Sequence, residues 1–96
     1  MTFEESLRLV LEQDEGIVHE IYEDHMDNPT CGIGHLLIET DYEYGWPVGT
    51  EISEARVTQL YNQDVSVALK DARWLQPDFD ELPDDARIVI ASLWKL

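Results

Sequence analysis

Ninety-six residues that are 44% hydrophobic make one small packed domain with a thin stability margin rather than a disordered chain. The 21 Asp and Glu against 6 Lys and Arg, a net charge of -15, exclude nucleic acid and anionic lipid as main partners, because binding either relies on basic side chains that release counterions from phosphates. The single cysteine, Cys31, excludes an intrachain disulfide and a cysteine-rich zinc site. No stretch approaches the ~18 apolar residues of a membrane span, and the acidic start "MTFEESLRLVLEQDEG" lacks the basic, apolar character of an export signal.

Thr2 and Glu5 have the spacing of a capping box, and Phe3, Leu7, Val10 and Leu11 recur at helical intervals, so a first helix is expected over residues 3 to 14. Gly16 stands where a left-handed helix end wants glycine. "IVHEIYED" has the β-branched and aromatic content of a short strand, "HMDNP" the chemistry of a turn at 25 to 29, and "TCGIGH" returns the chain into a small antiparallel sheet. From Leu36 to Ile52 no single period holds, and a loop or irregular third strand is expected. Ser53 is an N-cap for a helix over 54 to 73, whose Val57, Leu60, Tyr61, Ala68, Ala72 and Leu75 form one stripe. Pro77 and Pro83 bracket a connector, and Asp84 or Asp85 opens a last helix, "ARIVIASLWKL". That helix is apolar on nearly every side over residues 86–96, so a homodimer, a protein partner or the long helix folding back is expected to cover it.

"GIG" at 32 to 34 lacks the third glycine and following helix of a nucleotide loop, and reads better as a bend with close backbone approach. Cys31 and His35, as a thiol–imidazole pair, would stand roughly 13 Å apart along an extended strand. His19, Asp24 and His25 have no recognised metal-ligand spacing, and no metal is expected. The carboxylates are the stronger lead. Glu15 closes the first helix and Asp24 ends the strand, so the two acids sit in different fields, as the unlike roles of two carboxyl groups in glycosidic hydrolysis require. In so acidic a chain the alternative is a solvated acidic face.

Read together, "DEG" at 14 to 16, "YED" at 22 to 24 and "TCGIGHLL" at 30 to 37 resemble the phage T4-type lysozyme family, glycoside hydrolase family 24. Its acid, an aspartate nine residues on, a threonine six further and a histidine five beyond correspond to Glu15, Asp24, Thr30 and His35. "ISEARVTQLYNQDV" resembles the start of the family's long interlobe helix. The resemblance implies an α+β, lysozyme-like fold in which residues 1–52 form the helix-and-sheet lobe with the active site, 53–75 the interlobe helix and 76–96 the start of a helical lobe. It implies Glu15 as general acid, Asp24 as the carboxylate that activates water and Thr30 as the hydroxyl that helps hold it. His35 is implied as a salt-bridge partner of Asp64, and Gly32 and Gly34 as shapers of the sheet that presents Thr30.

By the same resemblance the substrate is bacterial peptidoglycan, cleaved at the β-1,4 bond between N-acetylmuramic acid and N-acetylglucosamine with inversion and without a cofactor. The setting is phage-mediated lysis, with the protein held in the host cytoplasm until release or carried in the virion. Three departures stand out. Only 17 residues separate His35 from Ser53, so the loop "IETDYEYGWPVGTE" replaces a short helix at one edge of the cleft. The likeness ends after the first helix of the second lobe, which leaves a truncated, non-catalytic glycan-binding or structural module as the alternative function. The acidic surface, unlike that of lysozymes acting on anionic walls, suits a high-salt setting.

Overall fold

The computed structural model describes residues 1–95, and of Trp94 and Lys95 the backbone alone. The elements run α1 (Phe3–Glu15), β1 (Val18–Glu23), β2 (Pro29–Gly32), β3 (His35–Leu36), α2 (Glu54–Leu75), a 3-10 turn (Phe79–Glu81) and α3 (Asp84–Lys95). The result is an α+β chain with a three-stranded antiparallel sheet in the order β1-β2-β3. Two compact units emerge. One comprises Met1–Asp14 with the chain from Asn62 onward, the other Glu15–Tyr61.

In the first unit the capping box forms in both directions: the Glu5 N–H donates to Thr2 Oγ1 at 3.1 Å and the Thr2 N–H to Glu5 Oε1 at 3.2 Å. Leu7 and Leu11 on α1, Val65, Ala68 and Ala72 on α2, Phe79 and Ala91 are buried. The Arg73 guanidinium lies 5.9 Å from the centre of the Phe79 ring and also binds both carboxylate oxygens of Asp80 at 3.0 Å. Arg87 stacks 4.3 Å from the centre of the Phe3 ring. On α3, Ile88 and Ile90 are half-buried while Val89 and Leu93 are exposed, so the apolar run is covered by its own chain on one side only. The remainder of the 86–96 run, from Trp94, lies outside the described side chains.

In the second unit, Gly16 takes φ 76° just after α1 and turns the chain into β1. β1 pairs with β2 through Val18↔Gly32, Tyr22↔Thr30 and Glu23↔Pro29, so β1 bulges between Val18 and Tyr22. β2 pairs with β3 through Thr30↔Leu36 and Cys31↔His35. Cys31 and His35 are therefore cross-strand neighbours and not 13 Å apart on one strand, because Gly32 and Gly34, both at φ above 60°, fold the chain back between them. Beyond Leu36 the expected loop or irregular strand is a run of turns. It returns along β1 through an isolated Glu20↔Glu51 bridge and the Ile52 N–H bond to the His19 carbonyl at 2.9 Å. Ser53 caps α2, accepting the Arg56 N–H at 3.1 Å.

Buried ion pairs pin those turns. Glu43, only 4% exposed, accepts Arg56 Nε at 2.6 Å and Nη2 at 2.9 Å in a bidentate pair from α2. Asp41 Oδ2 accepts His35 Nε2 at 2.9 Å and the Ile38 N–H at 3.0 Å. The Arg56 hydrogen bonds hold the Glu43 carboxyl below the usual carboxylate range against the effect of burial. At Asp41 burial opposes ionisation, but the Ile38 N–H, His35 and Arg56 outweigh it and its carboxyl too is lowered. Carboxyls depressed by folding contribute stability that is fully present above their ordinary range, about pH 4, and is lost as pH falls through the lowered values. Glu43→Gln is expected to cost about 2–3 kcal/mol in urea unfolding at neutral pH, since it strips a largely buried guanidinium of its countercharge. It should also flatten the fall in stability below pH 4.

Candidate active site

The second unit holds a cavity of about 400 Å³ on which Glu15, Asp24 and Thr30 converge, together with Gly34, Tyr22 and Leu36. Glu23 and His25 complete its rim. Each carboxylate arrives from a different element: Glu15 is the last residue of α1, and Asp24 follows β1 directly. Thr30, buried, is the β2 residue facing Tyr22 across the sheet, which puts both side chains on one face.

Gly34 allows Glu15 to lie where it does. A Cβ on Gly34 would stand 2.8 Å from Glu15 Oε2 and 3.2 Å from Glu15 Cβ, and the residue's φ of 62° already excludes most side chains. Gly32 differs: a Cβ there would meet only the Val57 side chain, at an ordinary 3.5 Å, so its φ of 63° alone asks for glycine. The two glycines of the "GIG" segment thus have separate duties, one in the bend and one in giving the acid room.

Asp24 is anchored by its own turn. Its Oδ1 accepts the Met26 N–H at 2.8 Å and the Asn28 N–H at 2.9 Å, while its N–H donates to the Asn28 carbonyl at 3.0 Å. Asp27 completes the turn at φ 62°, a conformation that Asp tolerates better than most residues. The Asn28 and Met26 amides, in that order, hold the Asp24 carboxyl below its usual range, so this acid stays ionised in neutral and mildly acidic solution. Both turn amides fall on Oδ1, and the Asn28 side chain adds a weaker hydrogen bond to the same carboxylate. The Thr30 hydroxyl donates to the Asn28 carbonyl at 3.0 Å, which leaves its oxygen lone pairs as acceptors.

Tyr22 is the site residue that sequence reasoning missed. Burial, followed by the charges of Glu15 and Asp24, pushes its phenol above the ordinary tyrosine value, so it remains a hydroxyl donor facing two acids. The signal was present in "YED", where Tyr22 is two residues before Asp24 and therefore shares its face of an extended strand. His35, buried on β3, engages Asp41 through Nε2 at 2.9 Å; Asp64 lies on α2. His19 lies 2.5 Å from Glu54, beside a separate hollow of about 460 Å³ lined by Ile17, Val18, Glu20, Glu51 and Ile52.

Among the described residues no group of three or more His, Cys, Asp and Glu converges as a metal site, and no helix is long and apolar enough to cross a membrane. No protein-family model matches the chain, and no curated protein matches it either. The cavity must therefore be interpreted from its own chemistry: a carboxylate pair from two elements, one of them fixed in the ionised form, with a hydroxyl acceptor between strands.

Gly34→Ala is expected to destabilise the protein by about 1–3 kcal/mol, from the left-handed backbone together with displacement of Glu15, as read by urea unfolding. The Tyr22 phenol, isolated in absorbance titration as the difference between the parent and Tyr22→Phe, should ionise above free tyrosine. It should move back towards the ordinary value in Glu15→Gln.

Proposed function

We propose that this chain is a lysozyme-like glycoside hydrolase of the phage T4 type, which cuts the β-1,4 bond between N-acetylmuramic acid and N-acetylglucosamine in bacterial peptidoglycan with inversion. The observation that carries this reading is the lining of one cavity by Glu15, Asp24 and Thr30, in the order and spacing that the resemblance implies. Glu15 gives its proton to the leaving glycosidic oxygen. Asp24 takes a proton from the attacking water through Oδ2, the oxygen that accepts neither turn amide, and the Thr30 oxygen accepts that water's second hydrogen. The water reaches the anomeric carbon from the face opposite the leaving group, which inverts its configuration. Each group does what its hydrogen bonds leave it free to do.

No cofactor enters this scheme. The reading extends to phage-mediated degradation of the host wall, with the protein held in the cytoplasm until release or carried in the virion. A second reading, a non-catalytic glycan-binding or structural module, draws support from the exposed Val89 and Leu93 on α3, an apolar edge of the kind that docks on a partner or a second copy.

Muropeptide release from purified peptidoglycan should fall by at least roughly a hundredfold in Glu15→Gln, the size expected for loss of a general acid. Proton NMR of the first product should show the α-anomer. A parent protein that is folded yet releases nothing would favour the non-catalytic module.

A further inference from the structure

The segment from Ile38 to Val48 is built inside out. Two of its three acids are in the interior: Glu43 is buried on Arg56, and the Asp41 carboxylate, paired with His35, is about 10% exposed, while Glu39 is exposed. Its apolar side chains are outside. Tyr42 is 83% exposed, Tyr44 and Trp46 each 48%, and Ile38 and Val48 are exposed as well. An aromatic ring has roughly 150–250 Å² to bury, and folding gains nothing by displaying three of them within five residues. The display is also held rigidly. The Asp41 and Glu43 pairs fix the segment to β3 and α2, the Arg56 guanidinium lies 5.5 Å from the centre of the Tyr42 ring, and the Gly49 N–H closes onto the Ile21 carbonyl at 2.8 Å. A surface ordered before its ligand arrives loses less entropy on binding.

Charge selects the ligand. At -15 the chain repels phosphate polymers and anionic lipid, and it repels a second copy of itself. A ligand for these rings, beside the exposed Glu39, must then carry no strong negative charge, and a neutral one rich in hydroxyl groups meets that demand. A pyranose fits: its C–H face presents partial positive charge to the negative face of an aromatic ring, and its hydroxyls donate to nearby carboxylates. Leu36 lines the carboxylate cavity, and the segment begins two residues further along the chain. A cavity of about 400 Å³ encloses only a short stretch of a polysaccharide, so the rest of the strand must run over the surface beside it.

We propose that Tyr42, Tyr44 and Trp46 form a glycan-binding surface beyond the carboxylate cavity, which takes further N-acetylhexosamine units of the same strand. The choice of glycan rests on the hydrolase reading of the cavity; the exposure and rigidity of the segment do not.

The test is NMR of the protein carrying 15N-labelled tryptophan indoles, titrated with the β-1,4 tetramer of N-acetylglucosamine, with the Trp46 signal assigned by its loss in Trp46→Phe. A saturable shift at Trp46 is expected, and it should persist in Glu15→Gln. Retention on insoluble peptidoglycan should weaken about tenfold in Tyr44→Ala/Trp46→Ala, whose exposed positions leave the fold intact as judged by unchanged urea unfolding. Muropeptide release with no Trp46 response to the tetramer would overturn this surface and leave the hydrolase reading standing. A Trp46 response without muropeptide release would support the surface while removing the hydrolase reading. A Trp46 signal that moves with protein concentration, but not with the tetramer, would overturn the proposal in favour of self-association.

Discussion

The close approach of Glu15 to Gly34 is the constraint on which the candidate site depends. A carboxylate at the end of a helix normally extends into solvent, where its charge is well hydrated and its position loose. Here it lies against a bare Cα in a sheet turn. That arrangement needs a backbone at positive φ and a position with no Cβ, and glycine alone meets both demands without strain. The helix end and the β2–β3 turn thereby come into close contact. Asp24 meets them from the far end of β1, on a turn whose hydrogen bonds it supplies itself.

A second organising feature is the use of charge in place of apolar packing. The segment between β3 and α2 buries Leu37 and Ile52 at its two ends, and its middle is fixed by Asp41 and Glu43 on His35 and Arg56. In a chain so acidic, carboxylates are plentiful and cations scarce, so each basic group carries unusual structural weight. Arg56 serves three partners at once: Glu43, Gln59 and the Tyr42 ring. Burying the acids turns the aromatic side chains outwards, and a folding expedient becomes a surface suited to ligand binding.

Local physics made much of the fold legible in the sequence. The Thr2–Glu5 box, the left-handed Gly16, the Ser53 cap and the 3.6-residue stripe of α2 are each determined within a few residues, and the observed elements begin and end within about two residues of those signals. Non-local pairings were hidden. Cys31 facing His35 follows from the fold-back at two glycines, which an extended reading of "CGIGH" cannot anticipate. The Glu43–Arg56 pair joins residues 13 apart with no shared period to announce it. At the candidate site, Glu15, Asp24 and Thr30, which the family resemblance singles out, line one cavity. Tyr22 was overlooked because an aromatic residue in a strand is ordinarily core.

The division of labour within the Asp24 carboxylate has a consequence for anyone who would disable it. One oxygen accepts both turn amides, so an amide at this position could keep its carbonyl on the Met26 and Asn28 N–H groups and leave the loop unchanged. Only the other atom would differ, an NH₂ where an acceptor had been. The change of a single atom would then reverse the polarity offered to a bound water, from attracting its hydrogen to attracting its oxygen. Under the proposed hydrolase reading, architecture and reactivity, which usually share a side chain inseparably, would be assigned to different atoms of the same group.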